Sequence, residues 1–335
     1  MHVLVTGASG FVGGNLVKRL VARGHTVTAM VRRTSNRKAL EQIPGLRFAI
    51  GDLHTGEGLR EAVEEIDCVQ HVAGVLKART PEDFHRGNVE GTRFVCQAIA
   101  EQKKPVRLVY CSSLAAAGPT IVGRPRSEVD APAPVSSYGR SKLGAEMVVR
   151  QFADRIPAVI LRPPIVYGPG DRDNIPSFLP MAKLGIFVKP SFGPKAYSVV
   201  HVEDLCDALI AAGEKGKTLV PTDSTAGVYF VSDGKEYSWS EFCDTLARSM
   251  GRERSRTIPL PNAATYAVGL ASEVIARVRG GVSIMNLDKA REMREQAWTC
   301  TNERARSEIA FDPAYTLQSG MAHTIAWYRQ EGIVR

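Results

Sequence analysis

Near the amino terminus, the run Val3-Leu4-Val5-Thr6-Gly7-Ala8-Ser9-Gly10-Phe11-Val12-Gly13 joins an apolar, β-branched stretch to a helical pattern through three glycines spaced three apart. Few constructions tolerate this arrangement. The first glycine permits a tight turn after the strand, the second removes a side chain from the path of a ligand, and the third lets the helix pack on the strand. Backbone N–H groups are then left at the positive end of a helix, where the pyrophosphate of a dinucleotide is held. Gly7, Ser9, Gly10, Phe11, Val12 and Gly13 are therefore read as a dinucleotide-binding loop.

The remainder of the first half continues that pattern. Short β-branched runs near 2–6, 26–32, 46–50, 67–72, 106–111 and 157–162 alternate with helical spacing at about 11–23, 57–65, 82–102 and 137–155. Alternation of this kind specifies an α/β chain built on a Rossmann-type, doubly wound parallel sheet. Beyond Pro163-Pro164 it is interrupted by Pro169, Pro176, Pro180, Pro190 and Pro194, and a smaller C-terminal α/β substrate lobe is expected there. Its predicted pieces are a strand at Val228–Val231, a helix from near Ser240 and an amphipathic helix near 264–278. The expected division is 1–165 for the dinucleotide-binding domain, with later segments free to return to it, and 166–335 for the mainly substrate-binding lobe.

Composition narrows the class. A chain of 335 residues, 44% hydrophobic and 23% charged, can bury a sizeable core, which argues against disorder. The net charge of +8 comes from scattered residues without an aromatic and basic strip, so an anionic cofactor is expected and nucleic acid is not. Six cysteines lie far apart with no Cys-x-x-Cys, as reduced buried thiols would, and the seven histidines show no paired ligand spacing, so no metal is expected. Val3-Leu4-Val5 is too short and too soon interrupted by glycine for a signal peptide, and no run approaches the roughly 20 apolar residues of a membrane span. A cytoplasmic protein is expected. The apolar helix near 264–278, ending in Arg277 and Arg279, adds an expectation of peripheral contact with the inner membrane surface.

Two further patterns carry chemistry. Tyr138-Gly139-Arg140-Ser141-Lys142 places a phenol and an ammonium four residues apart on one helix face. An ammonium near a phenol, whose pKa is ordinarily about 10, favours the phenolate and brings proton transfer toward physiological pH. At the end of the second strand, where an NAD enzyme carries a carboxylate for the ribose hydroxyls, the sequence reads Val31-Arg32-Arg33. A guanidinium suits a ribose 2′-phosphate, so NADP(H) is the expected cofactor, with NAD(H) the alternative.

The spacing Gly-x-x-Gly-x-x-Gly with Tyr-x-x-x-Lys resembles the extended short-chain dehydrogenases/reductases, the NAD-dependent epimerase/dehydratase superfamily. Gly51-Asp52-Leu53 resembles the strand-end motif whose aspartate meets adenine, and His71-Val72-Ala73-Gly74 the segment lining the adenosine ribose. Asn88 resembles a structural asparagine tying the central helix to the sheet. In Cys111-Ser112-Ser113-Leu114-Ala115-Ala116-Ala117-Gly118, the resemblance makes Ser113 the hydroxyl that holds the substrate oxygen and Ser112 its neighbour. It makes Tyr138 the acid/base, and Lys142 the group that lowers the tyrosine pKa and holds the nicotinamide ribose. Leu161-Arg162-Pro163-Pro164-Ile165-Val166-Tyr167-Gly168 resembles the loop against the nicotinamide, through Pro163, Ile165 and Val166. A homodimer through the helices at 82–102 and 137–155 is implied as well.

Substrate class is read from departures. Nucleotide-sugar members commonly carry an arginine just before the segment matching Val199-Val200-His201-Val202, where this chain has Lys195-Ala196-Tyr197-Ser198. The stretch from Pro259-Leu260-Pro261 through Glu273-Val274, with Trp298-Thr299 and Trp327-Tyr328, resembles the 3β-hydroxysteroid dehydrogenase and dihydroflavonol reductase-like branch. That branch includes bacterial keto-lipid reductases, some of the ceramide pathway. The expectation is an NADP(H)-preferring oxidoreductase that reduces a ketone, or oxidises the alcohol, on a bulky hydrophobic molecule facing Ser112, Ser113, Tyr167 and Tyr197. A nucleotide-sugar epimerase or dehydratase with recycled NAD(P), and a non-catalytic NADP(H)-binding regulator, are the alternatives. His201-Val202-Glu203-Asp204 is read as a loop-to-helix junction capped by an acid.

Overall fold

The computed structural model describes residues 1–261 and 287–334. The helix expected near 264–278, with Arg277 and Arg279, lies outside the described residues. Six strands fall where periodicity predicts them: β1 (His2–Thr6), β2 (Thr26–Val31), β3 (Arg47–Ile50), β4 (Cys68–His71), β5 (Arg107–Cys111) and β6 (Ala158–Arg162). They continue as β7 (Ile165–Tyr167), β8 (Ile186–Pro190), β9 (Ala196–Tyr197), β10 (Val199–His201), β11 (Val228–Phe230), β12 (Tyr237–Ser238), β13 (Arg256–Leu260) and β14 (Ala297–Trp298). The longer helices are α1 (Phe11–Ala22), α2 (Gly91–Ala100), α3 (Ser137–Gln151), α4 (Asn174–Leu184), α5 (Val202–Lys215), α6 (Trp239–Ser249), α7 (Leu287–Arg294) and α8 (Leu317–Gln330).

The central sheet has seven strands in the order β11-β6-β5-β4-β1-β2-β3, and every pairing is parallel. The order reverses between β1 and β4, which opens a crevice at their carboxyl ends. One face is covered by α1 and α5 through Leu16, Val17, Leu20, Leu205 and Leu209, the other by α2 and α3 through Val95, Ile99, Val148 and Val149. Both faces being buried accounts for the nearly unbroken apolar strands. A third cluster, including Tyr167, Phe187, Trp239, Phe242, Met321 and Tyr328, forms the C-terminal lobe.

Two expectations are corrected. The strand expected at Val228–Val231 among the pieces of the lobe is instead the edge strand β11 of the central sheet, paired with β6. Gly227 takes it there: at φ +69° its Cβ would sit 2.5 Å from the Leu219 nitrogen. At the start of α5 the cap is His201, whose Nδ1 accepts the Glu203 N–H at 3.3 Å. Asp204 instead accepts the N–H groups of Ala314 and Tyr315, at 2.9 and 3.1 Å.

In the glycine loop, Gly13 leaves no room for substitution. A Cβ on Gly13 would lie 2.1 Å from the Gly7 carbonyl oxygen, so α1 reaches β1 only through a glycine. Gly13→Ala is expected to lower the unfolding free energy by about 1–3 kcal/mol, the range for forced overpacking. Urea denaturation measures it; an unchanged midpoint would contradict the contact.

Candidate active site

The crevice is built from the ends of β1, β4 and β5. Gly7 turns with φ +69°, and a Cβ there would be 2.8 Å from the backbone of Ala73, so the loops after β1 and β4 touch. Gly10 caps α1, and among the described residues no side chain caps that helix end. The first turn, Phe11-Val12-Gly13-Gly14, also carries no acid. Ser9 and Gly10 are exposed beside it. An uncapped helix start with glycine at the approach is a cradle for an anion, and these residues fit the pyrophosphate of a dinucleotide.

Around this cradle the other expected cofactor residues take definite places. Val72 packs on the core and the Ala73 N–H donates to Thr6 Oγ1 at 3.3 Å. His71 is bridged by two hydroxyls, Thr6 to Nδ1 at 2.7 Å and Thr92 to Nε2 at 3.0 Å. Because Thr92 donates onward to the Asn88 carbonyl, the imidazole donates from Nε2 and accepts at Nδ1. Burial beside Lys142 pushes its pKa down to about 3, so it stays neutral. Asn88 sits in a π-helical turn, His85–Glu90, and holds both backbone groups of Val75 while donating to Ser141 at 2.8 Å. Asp52 accepts the His54 N–H at 2.8 Å, with Leu53 partly buried after it. Arg32 and Arg33 are exposed at the end of β2, Arg33 lying 4.0 Å from Glu57.

Ser113, Tyr138 and Lys142 come together at the end of β5. Ser113 caps the short helix Leu114–Ala117, accepting the Ala115 N–H at 3.1 Å, and its hydroxyl faces the Tyr138 phenol. Gly139 makes this approach feasible, since a Cβ there would be 2.4 Å from the Ala115 carbonyl. Burial pushes the phenol well above its ordinary value, and the nearby Ser113 hydroxyl opposes that shift. One turn along α3, Lys142 donates to the Cys111 carbonyl at 2.7 Å and lies 4.4 Å from the Tyr110 ring centroid. Its pKa is pushed down to about 8 by burial. A Cβ on Gly74 would come within 3.7 Å of that ammonium, so a glycine keeps the space beside it open.

A family model described as the NAD dependent epimerase/dehydratase family matches residues 3–225, the whole of the segment just described. The chain belongs to this family. It is similar to ceramide reductase of Caulobacter vibrioides, 30% identical over 332 residues, which covers 98% of this chain and 95% of that one. It is also similar to the 4-hydroxy-2-methyl-3-oxo-4-farnesyl-3,4-dihydroquinoline-1-oxide ketoreductase of Stigmatella aurantiaca, 29% identical over 329 residues, with 96% and 95% covered. Among solved structures, MoeE5 in complex with UDP-glucuronic acid and NAD aligns at a TM-score of 0.74 and 27% identity, over 99% of this chain and 100% of that one.

In this epimerase/dehydratase-family chain, several residues read from the sequence are engaged elsewhere. Ser112 donates its hydroxyl to Glu146 at 2.5 Å on the inner side of the sheet. Tyr167 is buried, with its hydroxyl donating to the Thr316 carbonyl at 3.3 Å. Tyr197 packs its ring 6.0 Å from that of Trp239. Pro163 offers its carbonyl to the Leu114 N–H at 2.8 Å, and Ile165 and Val166 lie in β7, paired with β10. Lys195 commits three hydrogen bonds to the carbonyls of Met293, Arg294 and Glu295, at 2.6, 2.8 and 2.6 Å.

Sequence reasoning missed Glu146 and the role of Arg162. Glu146 is fully buried and takes both ends of the Arg162 guanidinium, at 2.9 and 2.5 Å. Arg162 also stacks over Phe230, 5.6 Å from its centroid. The one available signal was spacing: Glu146 follows Lys142 by four and so shares its helix face. All six cysteines are buried and unpaired, and among the described residues no cluster suited to a metal occurs. Among those residues no helix is long and apolar enough to cross a membrane.

Proposed function

We propose that the chain is an NADP(H)-preferring ketoreductase that reduces a ketone, or oxidises the corresponding secondary alcohol, on a bulky, uncharged, lipid-like substrate. The observation that carries this reading is the convergence of Ser113, Tyr138 and Lys142 at the carboxyl end of β5, beside the glycine cradle. A nicotinamide cofactor, when bound, supplies or accepts the hydride. In the reductive direction Tyr138, kept neutral by burial, gives its proton to the carbonyl oxygen while Ser113 orients that oxygen. Lys142, one turn along the same helix and held on the Cys111 carbonyl, supplies positive charge to the site as the proton leaves. In the reverse direction the same phenol oxygen takes the proton back.

The lipid-like substrate is supported by the names of the two reductase relatives and by Lys195, whose bonds to three carbonyls leave it no proton for a diphosphate. NADP(H) is supported by exposed Arg32 at a strand end without a carboxylate. Oxidation of NADPH and of NADH, followed against long-chain keto-lipids, ketosteroids and nucleotide keto-sugars, tests the reading. Net consumption of NADPH with a keto-lipid is expected, at least about ten-fold better than NADH, with that preference lost in Arg32→Ala. Interconversion of nucleotide sugars without net cofactor consumption would replace this proposal with the epimerase reading.

A further inference from the structure

Among the described residues, the C-terminal lobe presents an apolar face that its core cluster does not use. Strands β8 and β13 form a separate two-stranded parallel ribbon, with Ile186 opposite Arg256 and Val188 opposite Ile258. Alternation along β8 buries Phe187 in the lobe and turns Ile186 and Val188 outward. Ile258 is exposed beside them, and at the two ends of β8 stand Leu184, 73% exposed, and Phe192, 69% exposed. Five large apolar side chains in so short a stretch of surface exceed the scattered exposure of ordinary surfaces.

Their rim is basic. Residues 183–193 and 252–260 contain Lys183, Lys189, Arg252, Arg254 and Arg256 against the single carboxylate Glu253, which accounts for half of the chain's net charge of +8. Asp244, on the neighbouring helix α6, accepts the hydroxyl of Ser255 and lies partly buried behind the ribbon. Apolar side chains flanked by the exposed cations Lys183, Arg252, Arg254 and Arg256 match an anionic lipid surface: the hydrocarbon side chains enter the interface and the cations meet the headgroups. The same cations disfavour a second copy, because a two-fold pairing would bring like charges face to face. Nucleic acid would leave the apolar centre without a partner.

We propose that the β8–β13 ribbon, with Leu184 and Phe192, is the face by which this protein docks on an anionic phospholipid bilayer. The assignment deepens the lipid-like reading of the substrate and is tested without turnover. The full chain is sedimented with vesicles of phosphatidylcholine alone and of phosphatidylcholine and phosphatidylglycerol in equal parts. Binding at least about ten-fold stronger to the anionic vesicles is expected, weakening with added salt. Leu184→Ser with Phe192→Ser, and separately Arg254→Glu with Arg256→Glu, are each expected to lower that binding about ten-fold, with unfolding temperatures unchanged because these side chains are exposed. A chain that stays in the supernatant with both vesicles, or binds equally well in both variants, overturns the proposal. So does a dimer in equilibrium sedimentation that Leu184→Ser with Phe192→Ser dissolves, since the face would then belong to a second copy. A protein that reduces a keto-lipid in detergent yet ignores vesicles loses this docking face and keeps the proposed reaction.

Discussion

Tyr138→Phe is expected to lower turnover by roughly 10²–10⁴-fold, the range attributed to a positioned acid or base. The substitution is nearly isosteric. The ring keeps its place beside Phe84, 6.1 Å away, and only the hydroxyl, which faces Ser113, is removed. The glycine cradle lies on other elements, so dinucleotide affinity, read by fluorescence titration, is expected to change less than about three-fold, under 1 kcal/mol. A fall in turnover with unchanged cofactor binding is the signature of a lost proton donor. Full turnover in the variant would remove Tyr138 from the reaction; equal losses of binding and turnover would make it a structural residue.

The second large effect lies behind the site. Glu146→Ala is expected to lower the unfolding free energy by about 3–5 kcal/mol, because it leaves the buried Arg162 guanidinium without its anion. The carboxylate also accepts the Ser112 hydroxyl, so helix α3 and the ends of β5 and β6 lose a common anchor. Glu146→Gln keeps the volume and one acceptor and is expected to cost less, about 1–3 kcal/mol. Removing both charges together, as Glu146→Leu with Arg162→Met, is expected to recover much of the loss, since an apolar pair carries no desolvation penalty. Urea denaturation of the three variants tests the set. A Glu146→Ala protein within 1 kcal/mol of the parent would mean that solvent or another group compensates Arg162.

The contrast between these two sites explains what the chain discloses before it is folded. Gly7, Gly10 and Gly13 are legible because backbone geometry admits few other residues there, and the strands because two buried faces demand continuous apolar runs. Tyr138 and Lys142 are legible because a four-residue spacing fixes a shared helix face. Glu146 is not, because a carboxylate on a helix reads as a solvated group until its partner 16 residues away is brought beneath it. Ser112 and Ser113 show the same limit at closer range. They are adjacent, but one hydroxyl turns inward to Glu146 and the other to Tyr138. β11 was legible as a strand and not as a member of the central sheet, since three buried residues carry no mark of which neighbour they pair with.

The bonds of Lys195 also bear on the order in which the molecule is made. Its ammonium meets carbonyls 98, 99 and 100 residues downstream, and the lobe's core is completed by Met321, Ile325 and Tyr328 on α8. The first six strands of the central sheet, by contrast, are all in hand by residue 162. During synthesis the segments that carry Ser113, Tyr138 and Lys142 emerge well before the lobe, although the sheet's core on the α1 and α5 face also takes Ala305, Ile309 and Phe311. Both of these cores are thus completed only by the last helices of the chain, whereas the strand pairing of the site is available much earlier.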